Sequence, residues 1–236
     1  MNPKLDKPPQ DAATVRHLRL GVGSVGIALP IVLVVGHMVA TRRVVILDSL
    51  SAYYHTEMRD VFVGALCAIG VFLIAYRYRR PDDLLGTIAG TLAIVVALFP
   101  ITVDASTDGT SGDGRAVGVV HQVAASALFL LLAVFCLFLF TRSDRAGVPP
   151  GRVANRFYRT CGLLILAAIV VALASRALPT DVHQRLQPLL WCEIVAVSAF
   201  GTAWLAKSDA IFRMAVLPDV PPSDEEVGQT ATTALP

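Results

Sequence analysis

Six long runs of apolar residues constrain the fold of this chain more than any other feature. They are charge-poor and continuously apolar, and most approach the roughly 20 residues that a helix needs to cross hydrocarbon. Strands of a membrane barrel alternate apolar with polar residues, and these runs do not. The runs cover residues 18–40, 61–76, 84–103, 117–140, 157–175 and 188–206.

The composition agrees with a membrane protein. Hydrophobic residues make up 55% of the chain and charged residues 16%, whereas charged residues are about 25% of a soluble domain. The net charge of +2 is too small to suggest a nucleic-acid partner. The sequence therefore predicts an all-α, polytopic bundle of six transmembrane helices over residues 18–206. A polar cytoplasmic segment, 1–17, precedes the bundle, and a disordered cytoplasmic tail, 207–236, follows it.

The distribution of lysine and arginine predicts the orientation, because cytoplasmic loops carry the excess of these residues. Of the 20, 14 lie in the N-terminal segment, the second and fourth loops and the tail. Both termini are therefore expected in the cytoplasm, with loops one, three and five outside, in a multi-pass protein of the plasma membrane. The other six are Arg42, Arg43, Arg59, Arg115, Arg176 and Arg185.

Small residues on the runs indicate where helices would approach one another. Lipid offers no hydrophobic drive between helices, so close packing at small side chains must hold a bundle together. Gly86 and Gly90 lie four residues apart on the third run, and Gly201 lies on the last. We expect helix contacts at these positions.

Ionisable and aromatic residues gather at the predicted outer face, and no comparable set is predicted on the cytoplasmic side. Charged groups at membrane depth are costly, so they are functional candidates. Glu193 lies within the last run, where a carboxyl must be paired or protonated, and its expected partners are Arg59, Arg176 or His121. The candidates are Tyr53, Tyr54, His55, Arg59, Asp60, Asp104, His121, His183 and Glu193.

Several members also have ordinary structural explanations. Tyr53 and Tyr54 fit an interfacial aromatic belt, and Arg59 and Asp60 fit an exposed pair at a helix start. Asp104 at a helix C-terminus would need a cation nearby, because the helix dipole disfavours an anion there. His121, near a helix start, would stay neutral and suit hydrogen bonding or metal ligation.

Two kinds of chemistry are open to this set. A zinc site would use His55, His121 and His183, with an open position for water. A hydrolytic site would use Ser49 or Ser51 as nucleophile with a histidine base, Asp104 or Asp60 as an assisting group, and Glu193 as general acid or base. The sequence contains no HExxH, HxxxH, CxxC or GxSxG motif, so no cofactor is assigned and zinc belongs only to the hydrolase hypothesis.

The segment from Ser49 to Asp60, the Phe99-Pro100 pair with Asp104, and His121 together resemble a family of bacterial six-helix integral membrane proteins of unknown function. The resemblance covers the bundle and implies its fold. A fainter similarity connects Ser51, Asp60 and His121 to the transmembrane hydrolase superfamily of alkaline ceramidases and adiponectin-type receptors. That similarity implies a zinc ion and hydrolysis, although the closing HxxxH pair and seventh helix of that superfamily are absent.

Two functions follow as hypotheses. The first is a membrane protein whose outer polar cluster binds a ligand or a lipid headgroup, with membrane lipids as partners. A protein partner or a second copy of the chain is also open. The alternative is a membrane-embedded lipid hydrolase that depends on zinc. Transport is not favoured, because Pro30 and Pro100 do not occupy corresponding positions of two three-span halves.

Overall fold

The computed structural model describes residues 9–76, 80–101, 112–142 and 151–208. Nearly all of these residues are helical, which confirms the predicted all-α class. Two short 3-10 helices, Ser51–His55 and Ser175–Ala177, and one π-helical turn, Phe135–Leu139, complete the structure. The seven α-helices are α1 Pro9–Thr41, α2 Arg59–Ala75, α3 Arg80–Leu98, α4 Gly112–Val134, α5 Arg152–Ala174, α6 Thr180–Leu186 and α7 Pro188–Lys207.

Four helical stretches are long and apolar enough to cross a membrane. They coincide with the first, fourth, fifth and sixth predicted runs and cover Ala13–Thr41, Arg115–Leu139, Arg152–Ala177 and Pro188–Lys207. The second and third runs form shorter helices: α2 has 17 residues, and the apolar part of α3 is Asp83–Leu98. Large apolar side chains on the long helices are exposed, Val39 to 71% and Val170 to 64%, as lipid-facing residues would be.

The six helices other than the short α6 form a ring in chain order. Each of α1 to α4 packs against the next, α5 packs against α7, and α7 closes the ring against α1. Neighbouring helices are therefore antiparallel, and the bundle has two ends. We call the end where α7 begins the Glu193 end, and the end where α7 finishes the Lys207 end.

Glycine residues allow a close approach of the helices at two of these helix–helix interfaces, which we call seams. A Cβ atom on Gly23 would lie 2.8 Å from the carbonyl oxygen of Gly201, so α1 and α7 touch backbone to backbone. A Cβ on Gly70 would lie 2.7 Å from the carbonyl oxygen of Gly90, which places α2 equally close to α3. The helix contacts predicted at Gly90 and Gly201 are confirmed, and Gly86 likewise faces the carbonyl of Leu73.

The Lys207 end contains two buried cations. Arg19 on α1 is 7% exposed and Lys207 on α7 is 6% exposed. The Arg19 guanidinium donates to the Tyr76 hydroxyl from Nη2 at 2.8 Å and to the Lys207 carbonyl from Nη1 at 2.9 Å. The Lys207 ammonium donates to the carbonyl of Phe140 at 3.1 Å. These bonds tie together the ends of α1, α2, α4 and α7.

Aromatic rings pack around these cations. Trp204 is fully buried, with its ring centroid 5.0 Å from that of Tyr76 and 5.2 Å from that of Phe140. The π-helical turn, closed by the Phe140 N–H to the Phe135 carbonyl at 2.9 Å, brings Phe135 within 5.9 Å of Trp204. We call the whole group the cation–aromatic cluster: Arg19, Tyr76, Phe135, Phe140, Tyr158, Trp204 and Lys207.

This cluster corrects one prediction. The sequence was expected to place no comparable polar set at the end opposite Glu193, yet Arg19 and Lys207 are buried there among carbonyls and rings. Lys207, expected to open the polar tail, is instead the buried last residue of α7. Likewise α1 begins at Pro9, inside the segment expected to precede the bundle. Residues 209–236 of the predicted tail lie outside the described part of the chain.

Candidate functional site

Loop one, residues 42–58, folds back into the Glu193 end of the bundle. Ser49, Leu50, Ser51 and Tyr53 are all buried, and Tyr53 is completely so. The Ser49 hydroxyl accepts the Ala52 N–H at 3.1 Å, which closes the turn that starts the 3-10 helix. The two serine hydroxyl oxygens lie 3.2 Å apart. The loop thus places two hydroxyl groups and an aromatic ring inside the helix ring.

Helix α7 holds this loop in place at two points. The Leu50 N–H donates to Oε2 of Glu193 at 2.5 Å, and Nε2 of Gln187 donates to the Ile46 carbonyl at 2.6 Å. Gln187 has a left-handed backbone, with φ of 45°, at the break between α6 and α7. Pro188 then starts α7, a position where its missing N–H costs nothing.

Glu193 thus contacts the loop backbone and none of its expected side-chain partners. No lysine, arginine or histidine in the described ranges pairs with its carboxylate within 4.0 Å. Arg59 donates instead to the Tyr54 hydroxyl at 2.8 Å, and His121 contacts the Phe99 carbonyl at 2.7 Å. The carboxyl group of Glu193 therefore has no cationic partner among the described residues.

A cavity of about 70 Å³ lies inside the ring beneath loop one. Ser51, His121 and Glu193 are its polar lining residues, and the remaining walls are apolar, Phe62 and Phe200 among them. The three polar residues come from loop one, α4 and α7. The structure therefore brings together three of the predicted site residues in one cavity.

A larger groove of about 360 Å³ opens between α4, α5 and α7. Its polar lining includes Gln122, Arg176 and Glu193, and the rest is mainly apolar, with Phe129 and Leu173 on facing helices. The groove residues of α4 run from Gln122 to Leu130, about 12 Å along the helix axis. Half of a 30 Å hydrocarbon core is about 15 Å, so the groove matches one leaflet in depth.

Each of the three candidate zinc ligands contacts the backbone carbonyl of another residue, a different one in each case. Nδ1 of His121 lies 2.7 Å from the Phe99 oxygen, and Nε2 of His55 lies 2.8 Å from that of Ile101. Nδ1 of His183 lies 3.3 Å from that of Ser175. A carbonyl only accepts, so each of these nitrogens carries the ring proton. Within the described ranges no three His, Cys, Asp or Glu side chains are grouped to hold a metal.

The remaining candidates lie at the rim. The Arg59 guanidinium carbon lies 4.7 Å from the centroid of the Tyr54 ring, so these two residues form a pair of their own. Asp60 is exposed in the first turn of α2 and does not line the cavity beneath loop one. Asp104 lies outside the described residues.

His37 is a buried polar residue that the sequence reasoning missed. It lies in the apolar part of α1 at 7% exposure, with Nδ1 3.3 Å from Oε2 of Glu57. Its ring packs edge-on against Tyr53, 5.5 Å between centroids, and burial raises the pKa of the Tyr53 phenol. The rule that singled out Glu193, an ionisable group within an apolar run, would also have found His37.

Comparison with known proteins adds no assignment. No family model, no curated protein and no solved structure matches this sequence. The function is therefore argued from the geometry of the Glu193 end.

Proposed function

We propose that this chain is a plasma-membrane protein of six spans, with both termini in the cytoplasm, that binds the headgroup of an outer-leaflet lipid. The 17 residues of α2 rise about 25 Å, which is at the short end of what spans a bilayer. Its seam with α3 is as close as the α1–α7 seam. The ring in chain order and the bias of lysine and arginine toward alternate loops support the same topology.

One observation carries the binding proposal: Glu193 lines both the cavity beneath loop one and the larger groove. A molecule in the groove can therefore reach the carboxylate from the lipid side. Its polar part would meet Gln122, Arg176 and Glu193, while its chain follows the apolar walls toward the middle of the bundle. This is the distribution of polar and apolar surface that an amphiphile needs.

Lipid crosslinking tests the proposal. Cells expressing the protein would be fed a photoactivatable phospholipid that carries its reactive group early in the acyl chain. We expect crosslinked peptides from the facing α4 and α5 walls of the groove, and a several-fold loss of crosslinking in Glu193→Gln. Asp181→Asn is the matched control, because Asp181 is an exposed acid at the same end. Crosslinking that is insensitive to Glu193 and spread over all helices would refute the site.

Hydrolysis of the bound lipid is a second candidate. It is favoured by the position of Ser51 and His121 beside Glu193 in one cavity, a nucleophile, a base and an acid of the required types. The zinc form of this hypothesis would use His55, His121 and His183, and Asp60 would assist from the rim. Lipid cleavage by purified protein that is lost in Ser51→Ala would support it. Near-stoichiometric zinc that is lost in His121→Ala would support its metal-dependent form.

A further inference from the structure

We infer that the lipid bound at the Glu193 end carries a primary ammonium and a phosphate, with the ammonium on Glu193, the phosphate on Arg176 and one acyl chain in the groove. This inference rests on the proposed function and specifies its ligand class. Its basis is the arrangement of charged, polar and apolar side chains around the groove.

Glu193 would bind the ammonium. It accepts a hydrogen bond from the Leu50 N–H through Oε2, which leaves Oε1 for a second donor. No cation of the described residues pairs with this carboxylate. A carboxylate at membrane depth needs a cation or a proton. A primary ammonium offers three N–H donors, and the Ser51 hydroxyl in the adjoining cavity is a second acceptor.

Arg176 would bind the phosphate. It lines the same groove as Glu193 and lies in the 3-10 helix Ser175–Ala177 that follows α5. Its side chain is exposed, and it makes no hydrogen bond or ion pair with any described residue. A guanidinium binds phosphate oxygens through two parallel N–H bonds. Gln122 supplies an amide donor at the same end of the groove.

The remaining length of the groove would hold the acyl chain. Below Gln122, Arg176 and Glu193 its walls are mainly apolar, with Phe129 and Leu130 on α4 facing Ile169 and Leu173 on α5. Its depth of about 12 Å along α4 matches one leaflet. An acyl chain attached to a headgroup at Arg176 and Glu193 would therefore lie within the groove without leaving its own half of the bilayer.

The test is native mass spectrometry of the full chain in detergent, with one lipid added at a time. The probes are phosphatidylethanolamine, phosphatidylcholine, phosphatidylglycerol and free phosphoethanolamine. We expect phosphatidylethanolamine to bind about tenfold more tightly than phosphatidylcholine, whose quaternary ammonium has no N–H donor. Glu193→Gln, which keeps an acceptor for the Leu50 N–H, should abolish that difference. Arg176→Gln should weaken all three lipids, whereas the control Arg185→Gln should weaken none.

The outcomes separate this inference from the proposed function. Equal binding of the three lipids, lost in Glu193→Gln, overturns the ammonium assignment and leaves the lipid site standing. Lipid binding that responds to neither Glu193→Gln nor Arg176→Gln overturns both. Free phosphoethanolamine bound as tightly as the lipid overturns the role of the groove, because the chain would then contribute nothing. Arg176 is exposed, so its variant gives a result even if Glu193→Gln does not fold.

Discussion

Replacing Arg19 with alanine should destabilise the whole bundle from its Lys207 end. The side chain bonds the Tyr76 hydroxyl at 2.8 Å and 3.2 Å and the Lys207 carbonyl at 2.9 Å. Interhelical hydrogen bonds in membrane proteins contribute on average about 0.6 kcal/mol and at most about 1.7. Two partner groups therefore give a loss of about 1 to 3 kcal/mol in the free energy of unfolding.

Trp204 reports on this change directly. The chain has two tryptophans, and Trp191 is 53% exposed while Trp204 is completely buried. In a Trp191→Phe background the remaining emission comes from a ring whose centroid lies 5.0 Å from that of Tyr76. Unfolding by SDS in mixed micelles, followed through this emission, measures the loss of stability where the bonds are broken.

Two further variants decide whether the reasoning is right. Arg19→Lys keeps the charge, but a single ammonium does not reproduce the planar fork that reaches both partners, so it should restore half of the lost stability or less. Arg16→Ala removes an exposed arginine one turn away and should change stability by less than about 0.5 kcal/mol. Equal stability of Arg19→Ala and Arg16→Ala, or full rescue by lysine, would refute the argument.

Two other predictions concern the seams and the topology. Gly90→Ala should lower the unfolding temperature, because its Cβ would collide with the Gly70 carbonyl. The control Gly64→Ala should be neutral or stabilising, since nothing lies within 4 Å of its added Cβ. Equal effects of the two variants would show that the α2–α3 seam is not close. The topology is tested in a cysteine-free background with an impermeant thiol reagent added to intact cells. Val44→Cys in loop one should be labelled, and Arg79→Cys in loop two should not. The reverse pattern would show that the protein has the opposite orientation in the membrane.

The helices were predictable because each depends on a local pattern. The last run was predicted as 188–206 and is observed as Pro188–Lys207, since a proline at the first turn marks a helix start in the sequence. The third run was predicted to continue to residue 103, but α3 ends at Leu98. A proline disfavours helical backbone at the residue that precedes it. The Phe99-Pro100 pair in the sequence therefore already indicated the end of this helix.

The two buried cations were not predictable in the same way. A count of charges near span ends treats Arg19 and Lys207 as flanking residues, which is their usual role. Their burial depends on groups far away in sequence: the Tyr76 hydroxyl is 57 positions from Arg19, and the Phe140 carbonyl is 67 positions from Lys207. No local pattern contains those pairings, because they exist only once the ring has closed.

The residues that form the candidate site could be predicted from the sequence, but the groups that they contact could not. Alternation of spans was enough to place Ser51, His121 and Glu193 at one end, since it requires only that neighbouring helices run antiparallel. The fold of loop one decides what Glu193 touches, and that fold depends on Ser49 closing a turn and on Gln187 reaching the Ile46 carbonyl. The side-chain types therefore indicated a cationic partner for Glu193, whereas in the structure its partner is the backbone N–H of Leu50.

Under the proposed function, the two ends of the bundle have different roles. At the Lys207 end, rings and cations fill the space between five helices, so that end provides the fixed frame. At the Glu193 end, a carboxylate is held by one loop N–H beside a cavity and an open groove. A preorganised site requires a rigid support at some distance from its own unsatisfied groups. Glu193 has one oxygen bonded to the loop and lines the groove, so it can accept a ligand without rearrangement of the helices. We therefore expect binding to depend on the ligand's charge and to leave the fold unchanged.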